Sequence, residues 1–446
     1  MFNSVASKNG YNFIDLFAGA GGLSEGFFQA GFNPVAHVEM DPNAARTLET
    51  RSAYYYLKRE NQLGLYYDYL RGKVSREAFI EEIPKSVLKT VINETMTADN
   101  LGDIFKKIDE ILEEDNQEHV DVIIGGPPCQ AYSLVGRAQS SHMSHPMSED
   151  PRNDLYKLYA RFLKHYQPKM FVFENVMGIE TANGGSTWKK IKAQLRRVGY
   201  EIEYKCQNAS DYGVLQSRNR MIIVGWRKDT HFCYPDLEET VSDAIVNDLL
   251  CDLPKLKPGE TKNEYSSTPA SAYVLGNQIR QPEDVLTLHT ARPHIQRDID
   301  IYKIAIQLWN DGNQRLRYDR LPEGLRTHNN VSSFLDRFKV VEGDNHACHT
   351  ILAHLSKDGH YFIHPDITQH RSITPREAAR IQSFPDNFYF EGPRTSVFTQ
   401  IGNAVPPMMA KAIAEGIALQ LDQEKKKNDR ESATGTIREI QAASAG

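Results

Sequence analysis

The stretch YNFIDLFAGAGGLSEGFFQAGF, residues 11–32, combines an apolar run, a cluster of glycines and a short helical segment. The apolar run is typical of a buried strand, and Gly31 is placed to end the helix. Gly19, Gly21 and Gly22 lie between the two, where a nucleotide-like ligand can approach the backbone closely. A tight turn that merely needs glycine is the alternative. The order of strand, turn and helix predicts the first unit of an α/β fold.

The same alternation continues along the first half of the chain. Further strands are predicted at residues 34–41, 120–126, 169–176 and 218–227. Helices are predicted between them at residues 97–114, 152–168 and 186–200. Strands that alternate with helices indicate a doubly wound, mostly parallel sheet.

The composition of the 446 residues is that of an ordinary globular protein, with 40% hydrophobic and 25% charged residues. The chain lacks a long apolar run, so the sequence argues against a membrane span. Five cysteines without a regular spacing suit free thiols in a reducing cytoplasm. The net charge of −6 does not exclude a nucleic-acid partner, because such an enzyme needs only a local basic surface.

The alternation stops after residue 228, where the chain becomes first acidic and then rich in arginine and histidine. We predict a catalytic domain over residues 1–228, with a Tyr-rich insertion at about 51–93, and a smaller domain over residues 229–370. Residues 371–423 are predicted to return to the catalytic domain. Residues 424–446 are charged and rich in small residues, which predicts a loose tail.

The segment GGPPCQAYS, residues 125–133, holds a cysteine behind two prolines at the end of a predicted strand. Doubly wound sheets place their chemistry at the carboxyl ends of parallel strands, and a nucleophile needs a rigid mounting there. The long polar stretch over residues 130–150 favours a lid. Cys129 is therefore predicted to be a nucleophile, in preference to a buried structural cysteine before a surface loop.

Charged and polar residues end other predicted strands. Glu39 lies about 20 residues after the glycine turn, where an acid is expected to bind a ribose. Glu174 and Asn175 end another strand, and Arg218 and Arg220 are two apart, which predicts that they share one strand face. Each of these residues also has a plainer interpretation as a cap, a solvated acid or surface charge.

In this order, the motifs resemble those of the cytosine-C5 DNA methyltransferase family, of the type found in bacterial restriction-modification systems. The similarity rests on DLFAGAGGLSEGF, GGPPCQAYS, RNDL, ENV, QSRNR, RSITPREAARIQSFPD and QIGNAVPP. It implies a Rossmann-like, S-adenosylmethionine-dependent catalytic domain with a smaller target-recognition domain. It also implies double-stranded DNA as the substrate, a monomeric enzyme, and a functional pairing with a restriction endonuclease.

The resemblance implies catalytic roles for five residues. The Cys129 thiolate would add to C6 of a flipped-out cytosine, which makes C5 nucleophilic toward the methyl donor. Glu174 would hold or protonate N3 of the base. Arg220 would contact the cytosine carbonyl oxygen with support from Arg218, and Asn175 would orient the site.

The resemblance also implies a pocket for S-adenosylmethionine. Phe17 and Met40 would lie against adenine, and Glu39 would bind the ribose hydroxyls. The remaining residues that the resemblance assigns to the pocket are Gly19, Gly21, Gly22, Pro128, Leu155 and Asn403.

The family usually carries an Asp-Ile pair that contacts adenine, and this chain departs from that pattern. The candidates are Asp99, Asp103 and a replaced pair at Thr95–Met96. Because Asp103 lies within a predicted helix, we select Asp99.

The recognised DNA sequence is predicted to be read by residues 229–345. Four arginines there are candidates for guanine contacts, each worth roughly 1–3 kcal/mol of base discrimination. They are Arg315, Arg317, Arg320 and Arg326. A tRNA cytosine-C5 methyltransferase of the same family is the alternative, and the length of this segment disfavours it.

Three further interpretations are weaker. A dinucleotide-dependent oxidoreductase would need a third glycine where Ser24 stands. A non-catalytic DNA-binding relative is disfavoured because the catalytic motif residues are present. The cluster of His346, Cys348 and His349 lacks a second ligand pair at zinc spacing, so no metal site is predicted.

Overall fold

The computed structural model describes residues 10–127, 154–327 and 335–443. The strands in these residues are β1 (Asn12–Leu16), β2 (Asn33–Glu39), β3 (Val91–Asn93), β4 (Val122–Gly125), β5 (Met170–Asn175), β6 (Tyr200–Asn208) and β7 (Asn219–Arg227). They form one sheet in the order β3-β2-β1-β4-β5-β7-β6. β1 to β5 are parallel, whereas β7 runs antiparallel to both β5 and β6. The predicted doubly wound, mostly parallel sheet is confirmed.

Helices cover both faces of the sheet. In the first half they are α1 (Gly22–Gln29), α2 (Pro42–Arg59), α3 (Leu63–Leu70), α4 (Arg76–Glu81), α5 (Lys85–Leu88), α6 (Leu101–Glu114), α7 (Leu155–Tyr166) and α8 (Ser186–Arg197). In the second half they are α9 (Ala272–Gly276), α10 (Gln296–Gly312), α11 (Pro375–Ile381), α12 (Arg394–Asn403) and α13 (Pro407–Ala443).

Alternate residues of the strands feed two separate apolar cores. Ile14, Ile123 and Phe171 are buried with residues of α6, α7 and α8 on one face. Phe13 and Val122, their neighbours in sequence, are buried with residues of α1 and α13 on the other face. This period of two explains why the central strands are apolar throughout, since both of their faces are covered.

The contact of α1 with α13 depends on glycine. A Cβ atom at Gly26 would lie 2.4 Å from the Cβ atom of Ala410, and one at Gly22 would lie 2.3 Å from the Val405 carbonyl oxygen. Both approaches are closer than a side chain allows. Gly26 therefore lets the last helix pack directly on the first, and Gly22 leaves room for the segment that leads into that helix.

The Tyr-rich segment predicted as an insertion, residues 51–93, begins inside α2, continues through α5 and ends with β3, which belongs to the sheet. The guanidinium of Arg51 forms an ion pair with Glu25 of α1 at 2.6 Å and lies 4.1 Å from the ring centre of Tyr54. The hydroxyl of Tyr66 donates to the Asn387 carbonyl oxygen at 2.7 Å. The segment thus joins α1 to the chain around residue 387, which is a packing role.

The second half of the described chain contains two further apolar cores. One surrounds α10 and is formed by residues between 301 and 340 together with Ile363. The other joins residues 246–286 to residues between 341 and 404, including those of α11 and α12. The domain boundaries at residues 229 and 370 stay a prediction.

α13 continues without a break to Ala443, through the tail that the sequence predicts to be loose from residue 424. The looseness of that tail stays a prediction. The first part of this helix is anchored by buried apolar residues such as Ile413 and Ile417. Once a packed helix exists, each further residue adds to it at little cost, and lysine, glutamate, arginine and alanine all favour that extension. No helix in the described parts of the chain is both long and apolar enough to cross a membrane.

Candidate active site

The carboxyl ends of four parallel strands meet at one edge of the sheet. Leu16 of β1 pairs with Val38 of β2 and with Gly125 of β4, and Gly125 pairs in turn with Phe173 of β5. The residues that follow these positions must therefore lie along the same edge. They include most of the residues that the sequence predicts for the site.

The glycine turn fixes the carboxylate of Glu39. Phe17 and Gly19 both have left-handed backbones, with φ of 57° and 55°. The Gly19 N–H donates to Glu39 Oε2 at 2.7 Å, and the Asp41 N–H donates to Oε1 at 2.8 Å. Burial raises the pKa of Glu39, and the two N–H donors oppose that rise. Among the described residues, the groups that orient this carboxylate belong to the backbone.

The neighbours of Glu39 differ in exposure. Met40 is 60% exposed, whereas Phe17 is partly buried against the core. The Asn93 side chain at the end of β3 donates to the Glu39 carbonyl oxygen at 2.8 Å, a contact that sequence reasoning did not predict. Asp99, the selected adenine-contacting acid, is exposed in the turn before α6.

The other predicted pocket residues fall into two groups. A Cβ at Gly19 would meet open space, whereas one at Gly21 would lie 2.7 Å from Leu48 Cδ2, so Gly21, like Gly22, packs against protein. Leu155 is the first residue of α7, and Asn403 is the exposed last residue of α12. Their contact with a cofactor stays a prediction.

Glu174 and Arg220 form an ion pair at the end of β5. Arg220 Nε lies 2.7 Å from Glu174 Oε1, and the two side chains are 11% and 15% exposed. A Cβ atom at Gly126 would lie 2.6 Å from Glu174 Oε2, so only glycine leaves room for the carboxylate there. The pair therefore lies against the chain that leads from β4 to the predicted nucleophile.

Arg218 has different partners from Arg220, although the sequence predicts a shared face. Its side chain is fully buried just before β7 begins, and it donates to the carbonyl oxygens of Ile351 at 2.7 Å and Gly402 at 3.0 Å. Burial, and next the charge of Arg220, hold the pKa of Arg218 well below its usual range. Arg218 thus joins the start of β7 to the last turn of α12, which ends at Asn403.

Asn175 is buried beside Glu174 and uses only part of its hydrogen-bonding capacity. Its Oδ1 accepts from the Val176 N–H at 2.7 Å. Its Nδ2 is buried without an acceptor among the described residues. A buried amide of this kind is usually paired, so it is available to a group that enters the site.

A polar cluster that sequence reasoning missed lies beneath the glycine turn. The Ser24 hydroxyl donates to Asp15 Oδ2 at 2.5 Å and lies 3.1 Å from His37 Nδ1. Asp15 and His37 face each other across β1 and β2. Burial raises the pKa of Asp15 to about 7 and lowers the pKa of His37 to about 4. The cluster ties the first turn of α1 to both strands.

Cys129, Pro128 and the predicted lid at 130–150 lie outside the described residues. Pro127, the last described residue before them, directly follows Gly126. The predicted role of Cys129 as the nucleophile therefore stays a prediction.

The four predicted base-reading arginines are all exposed. Arg315 forms an ion pair with Glu342 at 3.1 Å, and Arg317 forms one with Asp319 at 2.8 Å. Their contact with bases stays a prediction.

The side chains near residue 346 have partners other than metal. His349 Nδ1 lies 2.6 Å from Glu342 Oε2, His346 Nδ1 lies 3.0 Å from the Ala244 carbonyl oxygen, and Cys348 is buried. Among the residues that the structure describes, no group of three or more His, Cys, Asp or Glu side chains is placed to hold a metal ion.

The sheet order, the glycine turn after β1 and the acid at the end of β2 define a Rossmann-like methyltransferase fold. A solved DNA modification methyltransferase encoded within an E. coli prophage is similar, with 25% identity, a TM-score of 0.59, and coverage of 92% of this chain and 99% of that one. The methyltransferase EhMeth of Entamoeba histolytica, at 14% identity and a TM-score of 0.51, shares the fold over 92% of this chain and 98% of its own.

The sequence comparisons give the family. The model of C-5 cytosine-specific DNA methylases matches residues 11–60 and 76–418. "Type II methyltransferase M.Bpa9945I" of Bacillus paralicheniformis is 42% identical over 91% of this chain and 98% of its own length. "Type II methyltransferase M.DdeI" of Desulfomicrobium norvegicum is 32% identical over 91% of this chain and 88% of its own.

This chain belongs to the C-5 cytosine-specific DNA methylase family, of the bacterial restriction-modification type. It is a DNA (cytosine-5-)-methyltransferase, so the resemblance inferred from the motifs is confirmed. The dinucleotide-dependent oxidoreductase is thereby removed as an alternative. The gap in the match between residues 60 and 76 falls within the Tyr-rich segment.

Proposed function

We propose that this methyltransferase acts on a cytosine extruded from duplex DNA at one specific sequence, through a covalent adduct with Cys129. The observation that carries the proposal is the Glu174–Arg220 ion pair at the edge where β4 and β5 end. Gly126, which packs against that carboxylate, comes three residues before Cys129 in the chain. A base-binding pair and a nucleophile would thus share one side of the sheet.

S-adenosylmethionine is proposed as the methyl donor, and the residues at the end of β2 suit it. The Glu39 carboxylate uses one lone pair of each oxygen on backbone N–H groups and keeps others for the ribose hydroxyls. The exposed Met40 offers an apolar surface for adenine. Gly19 faces open space, so a ligand can approach the turn closely. When bound, the donor supplies an electrophilic methyl group on a sulfonium.

The proposed chemistry starts with the Cys129 thiolate, which forms a bond to C6 of the cytosine and pushes electron density to C5. Glu174 holds or protonates N3, and the Arg220 guanidinium donates to the carbonyl oxygen at C2, so both stabilise the charge that develops on the ring. C5 then takes the methyl group, and a base removes the C5 proton. The electrons of that C–H bond restore the C5–C6 double bond and expel the thiolate.

The proposed setting is a cytoplasmic monomer that modifies the sites of a cognate restriction endonuclease and thereby protects the host DNA. The relatives named as type II methyltransferases support this setting. Four cysteines in the described residues, Cys206, Cys233, Cys251 and Cys348, are free thiols, as expected for a reducing compartment.

Conversion sequencing of plasmid DNA from cells that express the protein tests the proposal. We expect protected cytosines at one recurring short motif, and none in cells that express Cys129→Ala. Protection that persists in the Cys129→Ala variant would contradict the covalent mechanism. Methyl incorporation into tRNA without protection of the plasmid would show that RNA is the substrate instead.

A further inference from the structure

Helices α7 and α8 carry an unusual concentration of positive charge. Together they contain eight lysine and arginine residues and no aspartate or glutamate. These residues are Lys157, Arg161, Lys164, Lys189, Lys190, Lys192, Arg196 and Arg197. We call them the basic face. The charge contrasts with the chain as a whole, whose net charge is −6.

The basic face points away from the core. Tyr159 and Phe162 of α7 are buried together with Trp188 and Ile191 of α8 in the core beneath the sheet. Seven of the eight cationic side chains are exposed, and Lys192 is half-buried. The apolar sides of both helices are therefore used for packing, while their cations remain available to a partner in solution.

The cations of α8 lack local counter-charges. Lys157 at the start of α7 forms an ion pair with Asp154 at 2.8 Å. Among the described residues, no carboxylate lies within ion-pair distance of the five cations of α8. Lys192 lies instead over the ring of Trp188, 5.2 Å from its centre. Cationic side chains without neighbouring carboxylates attract a polyanion.

The basic face begins near the edge of the sheet where the carboxyl ends of β4 and β5 lie, which we call the catalytic edge. α8 follows β5, which ends at Glu174 and Asn175, and α7 follows the segment that contains Cys129. Both helices therefore start near the edge where the chemistry is proposed and run back along the sheet. The 12 residues of α8 span about 18 Å, enough to follow several phosphates of a duplex.

We propose that the basic face binds the phosphate backbone of duplex DNA that flanks the recognised sequence. Contacts of this kind carry no sequence information; they hold the enzyme on long DNA and let it slide. The proposal rests on the DNA substrate but not on the covalent mechanism. It assigns DNA affinity to a surface outside the predicted target-recognition domain.

The test uses the full-length triple variant Lys189→Gln/Lys190→Gln/Arg197→Gln. The matched control, Lys58→Gln/Lys73→Gln/Lys425→Gln, removes the same charge from exposed positions elsewhere. Binding to a duplex of about 60 base pairs that lacks the recognised site is measured as a function of salt concentration. We expect the slope of log K against log salt to fall by roughly 2–3 for the triple variant and to stay unchanged for the control.

Methylation rates separate flanking contacts from contacts at the site. We expect the triple variant to match the wild type on a short duplex that contains little more than the recognised sequence, and to be roughly 10-fold slower on a plasmid at low enzyme concentration. A salt slope equal to that of the wild type would overturn the proposal. A rate loss on the short duplex, with an unchanged melting temperature, would overturn the assignment to flanking DNA. If the triple variant melts early, the single variant Lys190→Gln must still lower the slope by about 1.

Discussion

The two carboxylates at the catalytic edge, Glu39 and Glu174, are held in different ways. Glu39 is oriented by the N–H groups of Gly19 and Asp41, which belong to the backbone. Glu174 is oriented by the side chain of Arg220 and by the space that Gly126 leaves. A carboxylate held by backbone resists single substitutions nearby, whereas one held by a side chain depends on that partner. The binding end of the site is thus predicted to be robust, and the catalytic end to be fragile.

The largest effect should come from removing Arg220, the side chain that holds Glu174 at the catalytic end of the site. We expect Arg220→Ala to lower the rate of the chemical step by roughly 10²–10⁴-fold, because Glu174 loses its partner and the base loses a donor. Affinity for S-adenosylmethionine should change less than 3-fold, or about 0.7 kcal/mol. Single-turnover methylation and calorimetric titration measure the two quantities.

The control for this prediction is Arg227→Ala, which removes a half-buried arginine from the far end of the same strand, where it pairs with Asp229. We expect it to retain the wild-type rate. A parallel loss of cofactor affinity in Arg220→Ala would show that the two ends of the site are not independent.

A smaller loss of methylation rate is expected for Gly126→Ala. The new methyl group would lie 2.6 Å from Glu174 Oε2 and must displace the carboxylate. Displacements of about 1 Å at a catalytic group cost on the order of 10²-fold in rate. The control is Gly102→Ala in α6, where a Cβ meets nothing within 4 Å. That control should keep its activity and gain up to about 1 kcal/mol of helix stability. Equal rates for Gly126→Ala and the wild type would contradict the close approach.

Substitution of Glu39, the carboxylate held by backbone N–H groups, should change cofactor binding and not the rate of the chemical step. Glu39→Gln places an amide N–H₂ against the N–H donors of the turn and removes an acceptor from the ribose. We expect affinity for S-adenosylmethionine to fall about 10- to 100-fold, from the loss of hydrogen bonds to a charged group. The rate at saturating cofactor should stay within about 3-fold, which is about 0.7 kcal/mol. Glu113→Gln, the same substitution at an exposed position of α6, serves as the control.

The smallest effect expected in the wild type is the pH dependence of stability that comes from the cluster beneath the turn. The pKa of Asp15 is raised to about 7, so its contribution to folding is present at low pH and is lost as the pH rises through 7. The pKa of His37 is lowered to about 4, so its contribution is present above pH 6.5 and is lost as the pH falls through 4. The two contributions oppose each other between these limits, which keeps the wild-type stability nearly flat.

Single variants should uncover each contribution. Relative to the wild type, Asp15→Asn should gain stability as the pH rises from about 4 to 7, by up to about 1.4 kcal/mol per pH unit. His37→Gln should show the opposite trend over the same range. Thermal melts at several pH values measure the difference, and parallel curves for all three proteins would contradict the prediction.

The parts of the fold that the sequence predicts well are those with local signals. The central strands are apolar runs bounded by glycine, proline or acids, and their parallel order follows from the helices between them. The two edge strands were missed. β3 has only three residues and lies inside the segment predicted as an insertion. β6 carries exposed charges such as Glu201 and Glu203 in place of an apolar run. The helical extension of α13 was missed because its composition also suits a loose tail.

The residues of the site also divide into those with a local sequence signal and those without one. Glu39 and Glu174 lie at the carboxyl ends of their strands and were predicted from that placement. Arg220 lies at the start of β7, and its role was predicted from the family resemblance. The Asp15–Ser24–His37 cluster depends on the register of β1 with β2, which no single segment of sequence reveals. The buried role of Arg218 depends on Ile351 and Gly402, which are more than 130 residues away.

The packing of α1 on α13 has a consequence for synthesis on the ribosome. Leu23 and Phe27 of α1 are buried against a helix that begins almost 400 residues later. The Tyr11 hydroxyl reaches Asp422 at 2.8 Å, 411 residues along the chain. A growing chain therefore cannot cover the apolar side of its first helix until nearly all of the sequence has emerged. At roughly 5–20 residues per second, this surface stays open for tens of seconds, during which a chaperone can bind it.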